Sequence, residues 1–132
     1  MMNKKVIETE KVKIAVPTYS LGFEVKGGTL TVLAGCLAFD SEGNLVGKGD
    51  IEAQTRQICE NMKAVLEAAG GSMDNIIKLT NYFTNRDDLI PSTKVRVQYF
   101  KKPYPASTAV IVSGLLHEDC LLEIEALAVL DK

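Results

Sequence analysis

One histidine and three cysteines among 132 residues leave little for the commonest catalytic devices to use. His117 lies in the polar turn HED, and no Ser or Cys stands in a nucleophile motif, so a His-dependent triad is not indicated. A single imidazole with scattered carboxylates offers no ligand spacing, and no metal site is expected. Cys36, Cys59 and Cys120 are odd in number, far apart and never in a CxxC pair. They read as reduced thiols, mostly packing, with neither a disulfide framework nor a zinc site. Gly-rich phosphate loops of the two common patterns are absent; GKGD is a turn.

Long apolar runs are missing too. None reaches the roughly 18 residues of a membrane span, and the amino end MMNKKVIETEK lacks the apolar core of a signal peptide, so a cytoplasmic protein with no membrane partner is expected. A net charge of -2 and a pI near 5.4 argue against a nucleic-acid partner, because phosphate binding needs clustered Lys and Arg. Lys4-Lys5 and Lys101-Lys102 read as solvated surface. What remains is the balance of a globular chain, 46% apolar and 24% charged. Its length suits one domain over residues 1–132 with a single core.

VIETEKV is weakly extended. SLGFEVKG alternates Leu21, Phe23 and Val25 on one face up to Gly27-Gly28, a hairpin turn signal, and TLTVLAG is expected as the return strand with Leu30, Val32 and Ala34 on one face. Helical spacing follows in Ile51, Thr55, Ile58, Met62, Val65 and Ala69, with Asp50 as the cap and Gly70-Gly71 as the stop. NIIKLTNYFTN sets Ile77, Leu79, Asn81 and Phe83 against Ile76, Lys78, Thr80 and Tyr82, a strand. DDLIPSTKVRVQYFKK fits either an alternating strand or a helix begun by Pro91 in its first turn, and the helix is favoured.

ASTAVIVS is a short apolar strand, and CLLEIEALAVL closes the chain with Leu122, Ile124, Ala126, Ala128 and Leu130 on one face. The order predicts one mixed sheet with two helices packed on one side, an α+β layer. Because AVIV and LEIEALAVL are apolar on both sides, the uncovered face is expected to be buried by another copy of the chain.

Within that last strand stand two carboxylates, Glu123 and Glu125, on the face shared with Leu and Val. Burial raises a carboxylate's pKa and makes it a better general base near neutrality. An ordinary ion pair with Lys78 or Arg96 is the plainer alternative. Ser107 and Thr108 pose a similar choice. They either floor a pocket or satisfy backbone groups where a strand begins.

Taken together, the PTYSLGFEVKGGTLTVLAG segment, the block AQTRQICENMKAVLEAAGGSMDNIIKLTNYFTN, the YPASTAVIV strand and the closing LEIEALAV resemble the RidA/YjgF family of reactive-intermediate deaminases. Order and spacing agree over nearly the whole chain. The resemblance implies a chorismate-mutase-like α+β subunit and a homotrimer with clefts between neighbouring subunits. It also implies cofactor-free hydrolysis of an enamine or imine, such as 2-aminoacrylate, to a 2-keto acid and ammonia. It selects the helix for DDLIPSTKVRVQYFKK. On the matched positions, Glu123 falls where the family has its water-positioning acid, Tyr19 where a tyrosine closes the cleft, and the backbone around Gly35 and Cys36 in the loop that lines it.

One departure matters. The family's deaminating members begin the strand after the Pro-Ala turn with an arginine that clamps the substrate carboxylate, and this chain has Ser107 there with Thr108 beside it. Thr93 likewise stands where an asparagine of the pocket aligns. Losing a bidentate charge-assisted pair removes roughly 1.5–3 kcal/mol, about 10- to 150-fold in affinity. The resemblance with this departure implies a deaminase-type hydrolase of an imine or enamine other than 2-aminoacrylate, of the 2-aminomuconate kind, or a trimer that binds a small metabolite without turnover. The small-molecule partner is then an imine, enamine or keto acid. A reactive role for Cys36 is a third, weaker reading, since no His or Lys flanks it.

Overall fold

The computed structural model describes residues 2–132. Eight main elements follow in order: β1 (Asn3–Ile7), β2 (Gly22–Lys26), β3 (Thr29–Cys36), α1 (Ile51–Ala68), β4 (Ile76–Phe83), α2 (Leu89–Arg96), β5 (Ala106–Ile111) and β6 (Leu122–Leu130). β3, β6, β4 and β5 lie side by side in that order as one mixed sheet. β4 and β5 run parallel, as strands joined by a helical crossover do, and the other two pairings are antiparallel. Both helices cover one face, which gives the expected α+β layer. Among the described residues, no helix is long and apolar enough to cross a membrane.

The hairpin expected across Gly27-Gly28 is replaced by a change of sheet. Both glycines take positive φ, 73° and 78°, and turn the chain. β2, however, pairs with β1 in a separate two-stranded sheet, while β3 pairs with β6. β6 offers β3 more than β2 can, because its alternate residues Leu122, Ile124, Ala126, Ala128 and Leu130 are all buried and Leu33 joins them opposite Ala126. A Cβ on Gly28 would lie 2.6 Å from Val129, so the turn itself rests on β6.

Asp50 caps α1 by accepting from the Ala53 N–H, and Gly70, at φ 85°, ends it. The buried stripe is rotated from the expected one. It runs through Gln54, Thr55, Ile58, Cys59, Met62 and Leu66, leaving Val65 48% exposed. Two buried amides or hydroxyls in that stripe are tolerable because each finds a partner. The Thr55 hydroxyl is 2.8 Å from that of Ser92 on α2 and donates to the Ile51 carbonyl at 2.8 Å.

β4 departs from plain alternation as well. Ile76 is buried together with Leu79, Asn81 and Phe83, because a bulge between Ile76 and Lys78 inserts one residue against β6.

Candidate functional site

A second bulge shapes the open side of the sheet. Between Leu33 and Cys36, β3 advances three residues while β6 advances two, from Ala126 to Ile124. The extra residue pushes the backbone at Gly35 toward the next open-face position of β6, which is Glu123. The carboxylate occupies the volume a side chain would need: a Cβ built on Gly35 would lie 1.9 Å from Glu123 Oε2 and 2.8 Å from its carboxyl carbon. Gly35 is therefore required by close approach, not by backbone conformation.

Opposite Glu123 on β4 stands Tyr82, whose phenol donates to Glu125 on the same open face. That hydrogen bond, with burial, raises the Tyr82 pKa. Glu123 and Glu125 thus lie to either side of one phenol, on a strand flanked by β3 and β4. Neither carboxylate is in an ion pair among the described residues, where the two pairs found are Lys48 with Asp119 and Lys101 with Asp74. The pairing with Lys78 or Arg96 weighed from the sequence is not formed. Lys78 instead donates to the Thr108 hydroxyl.

Cys36 follows the bulge back toward the helices, pairing with Ile124 and packing against the core. Burial raises its thiol pKa, and the nearby Glu123 adds to the shift. A thiol so held is a poor nucleophile at neutral pH. The carboxylate lies against the backbone at Gly35.

The other sequence-selected residues gather elsewhere. Ser20 bridges to Ala106 and its N–H donates to the Pro105 carbonyl at 3.1 Å, so the segment carrying Tyr19 docks at the start of β5, beside Ser107. Tyr19 is part of a recess of about 480 Å³ with Ile7, Ile14, Pro17, Lys102 and Tyr104. Ser107 pairs with Leu79 and points to the helix side of the sheet, where Asn81 Nδ2 donates to its Oγ at 3.0 Å. Thr108 lies on the open face. Thr93 returns its hydroxyl to the Leu89 carbonyl at 2.8 Å within α2. Within one chain the candidates therefore fall into two groups, Gly35, Cys36 and Glu123 at the β3–β6 bulge, and Tyr19, Ser107 and Thr108 at the β5 edge, with Thr93 apart on α2.

Two amides on α1 position the bulge group from behind. Gln54 Nε2 donates to the carbonyls of Gly47 and Asp119, at 3.0 and 2.9 Å, and its Oε1 accepts from the Leu121 N–H at 2.9 Å, which fixes the chain entering β6. Asn61 Nδ2 donates to the carbonyls of Leu37 and Phe39, at 3.1 and 2.8 Å, which fixes the chain leaving β3. Sequence reading passed over both, along with Tyr82, Asn81 and Arg96. The available signal was an amide inside an otherwise apolar helical stripe.

A mixed sheet backed by two helices, with two carboxylates on its open side, defines an α+β domain. Within that class the chain belongs to the Rid/YjgF family. Residues 11–130 match the family model described as Endoribonuclease L-PSP. A RutC family protein of Pyrococcus horikoshii is 42% identical over 125 residues, which cover 95% of this chain and 97% of that protein. Among solved structures, a Rid-family protein of unknown function from Yersinia pestis, YyfB, aligns with a TM-score of 0.87 at 31% identity, covering 97% of this chain and 99% of that one. RidA from the Antarctic bacterium Psychrobacter sp. aligns at 0.72 and 36% identity, covering 96% and 99%.

Proposed function

We propose that the protein is a cofactor-independent hydrolytic deaminase of a reactive imine or enamine, acting at clefts between the copies of a homotrimer, on a substrate other than 2-aminoacrylate and of the 2-aminomuconate kind. The observation that carries this reading is the Glu123 carboxylate seated against Gly35 on an open sheet face, in no ion pair among the described residues. An imine carbon is already electrophilic, so the site needs to hold the substrate, favour the iminium and aim one water. Glu123 takes a proton from the water as its oxygen bonds to the carbon and the C=N π electrons move to nitrogen. Returning that proton to nitrogen lets the carbinolamine expel ammonia, and as the C–N bond breaks the ionised Glu123 takes the hydroxyl proton, leaving a carbonyl.

The split between the bulge group and the β5-edge group supports a cleft in which one copy supplies Glu123 and its neighbour supplies Tyr19 and Ser107. The matched family's description includes an endoribonuclease, but two carboxylates on the open face repel a phosphodiester, and the chain's net charge is -2. A second reading, small-metabolite binding without turnover, is favoured by Ser107 standing where a charged clamp would otherwise hold a carboxylate.

Ammonia release from a panel of imines, generated in place by amino-acid oxidation, tests the first reading. The parent protein is expected to accelerate release from at least one imine, and Glu123→Gln to abolish the acceleration while the assembly keeps its mass. A silent panel, with a ligand bound and recovered unchanged, selects the second.

A further inference from the structure

Arg96, the last residue of α2, is 5% exposed, and no carboxylate lies within ion-pair distance of it among the described residues. Burial lowers its pKa. Among the described residues its one side-chain hydrogen bond runs from Nη1 to Asn81 Oδ1 at 2.9 Å. Arg96 can only donate, so Oδ1 must face it. On the far side of the amide the Thr108 carbonyl, which can only accept, takes one Nδ2 proton at 3.0 Å. Two fixed ends thus set the amide's orientation independently. The other Nδ2 proton goes to Ser107 Oγ. A hydroxyl that accepts there keeps its own proton for something else, and Ser107 is half-buried on the edge strand β5. Within the described residues that proton has no acceptor.

We infer that Arg96 is a positioning residue that, through Asn81, occupies one acceptor site of the Ser107 hydroxyl and leaves its proton to donate toward a ligand's acceptor oxygen, a carboxylate or carbonyl. This deepens the proposed function and rests on its placement of Ser107 in the cleft. The buried guanidinium polarises the amide, the amide orients the hydroxyl, and the pocket gains a neutral donor whose direction is set by a charge that the ligand never touches. Selectivity follows. A carboxylate held by one neutral donor is worth far less than one held by a guanidinium fork, so an uncharged carbonyl competes with it on nearly equal terms.

The test is binding, so it reads out whether or not the protein turns anything over. The probes are pyruvate and its uncharged counterpart pyruvamide, titrated calorimetrically into the parent assembly and into Arg96→Met, Ser107→Ala and the double variant. The parent is expected to bind both probes within about tenfold of each other. Each single variant should lose about 2- to 12-fold, the double variant no more than Ser107→Ala alone, and Ser107→Thr should restore binding. Arg96→Met is expected to melt within several degrees of the parent, since the removal of a buried charge with no ion-pair partner offsets the orphaned Asn81 Oδ1. If that variant does not fold, Asn81→Asp serves, because its carboxylate pairs with Arg96 and draws the Ser107 proton inward. A parent that binds neither probe, an Arg96 or Asn81 variant that binds as the parent does, or losses that multiply in the double variant would each overturn the assignment. Loss of imine turnover in Glu123→Gln bears on the deaminase reading alone.

Discussion

At the scale of the residue, the site depends on an absent side chain. Gly35 gives up nothing in backbone freedom, since its φ lies outside the left-handed region; it is fixed by Glu123 filling the space beside it. Gly35→Ala should therefore separate function from folding. The clash falls chiefly on the end of a flexible side chain, which can swing outward, so stability is expected to fall by about 1 kcal/mol or less. On the proposed role of Glu123 in aiming a water, a shift of even one ångström should drop turnover at least 100-fold. Thermal melting and ammonia release measured side by side check both numbers; a variant with parental turnover would detach Gly35 from the chemistry. Glu123 and Glu125 stood out together in the sequence as acids in an apolar strand, and only the family resemblance singled out Glu123 as the candidate. Asn81 and Arg96 did not stand out, because their meaning lies in a hydrogen bond between β4 and α2 that no spacing announces.

At the scale of the element, α1 does more than cover the sheet. Gln54 is fully buried and makes three hydrogen bonds to backbone groups of the two segments it touches, Gly47 on one side and Asp119 and Leu121 on the other. Replacing it by Leu fills the same volume but orphans the Asp119 carbonyl and the Leu121 N–H, while the Gly47 carbonyl keeps its bond from the Asp50 N–H. Each unsatisfied buried group costs about 1–3 kcal/mol, so Gln54→Leu should lose on the order of 3 kcal/mol and melt roughly 10 °C lower. Its entry to β6 would loosen first, visible as faster amide exchange at Leu121 and Leu122; unchanged exchange there would dismiss the role. The helices and strands were legible because their apolar spacing is strong. The two bulges and the separation of β2 from β3 were not, since both turn on which strand β6 accepts, a competition between distant segments.

At the scale of the whole molecule, the open face of the sheet is divided. One end carries Leu30 and Val32 from β3, at 65% and 66% exposed, with Leu127 of β6 paired to Val32; the other carries Glu123, Tyr82 and Glu125. Water favours neither arrangement equally, because the apolar end gains by being covered and the carboxylate end needs access. Packing copies by their apolar ends leaves the acidic ends at the seams between them, where a neighbour's Ser107 and Tyr19 edge can complete a cleft. Val32→Asp tests this in a single change. It forfeits roughly 1.5–3 kcal/mol of side-chain burial per chain and would place a carboxylate in an apolar contact, so light scattering at micromolar concentration should show the parent as a trimer and the variant at monomer mass. Because Glu123 is untouched, the monomer's turnover is the decisive reading. Activity lost with association, and regained by Val32→Ile, which retains the apolar contact, puts the chemistry between subunits. Full activity in a monomer would return it to one chain.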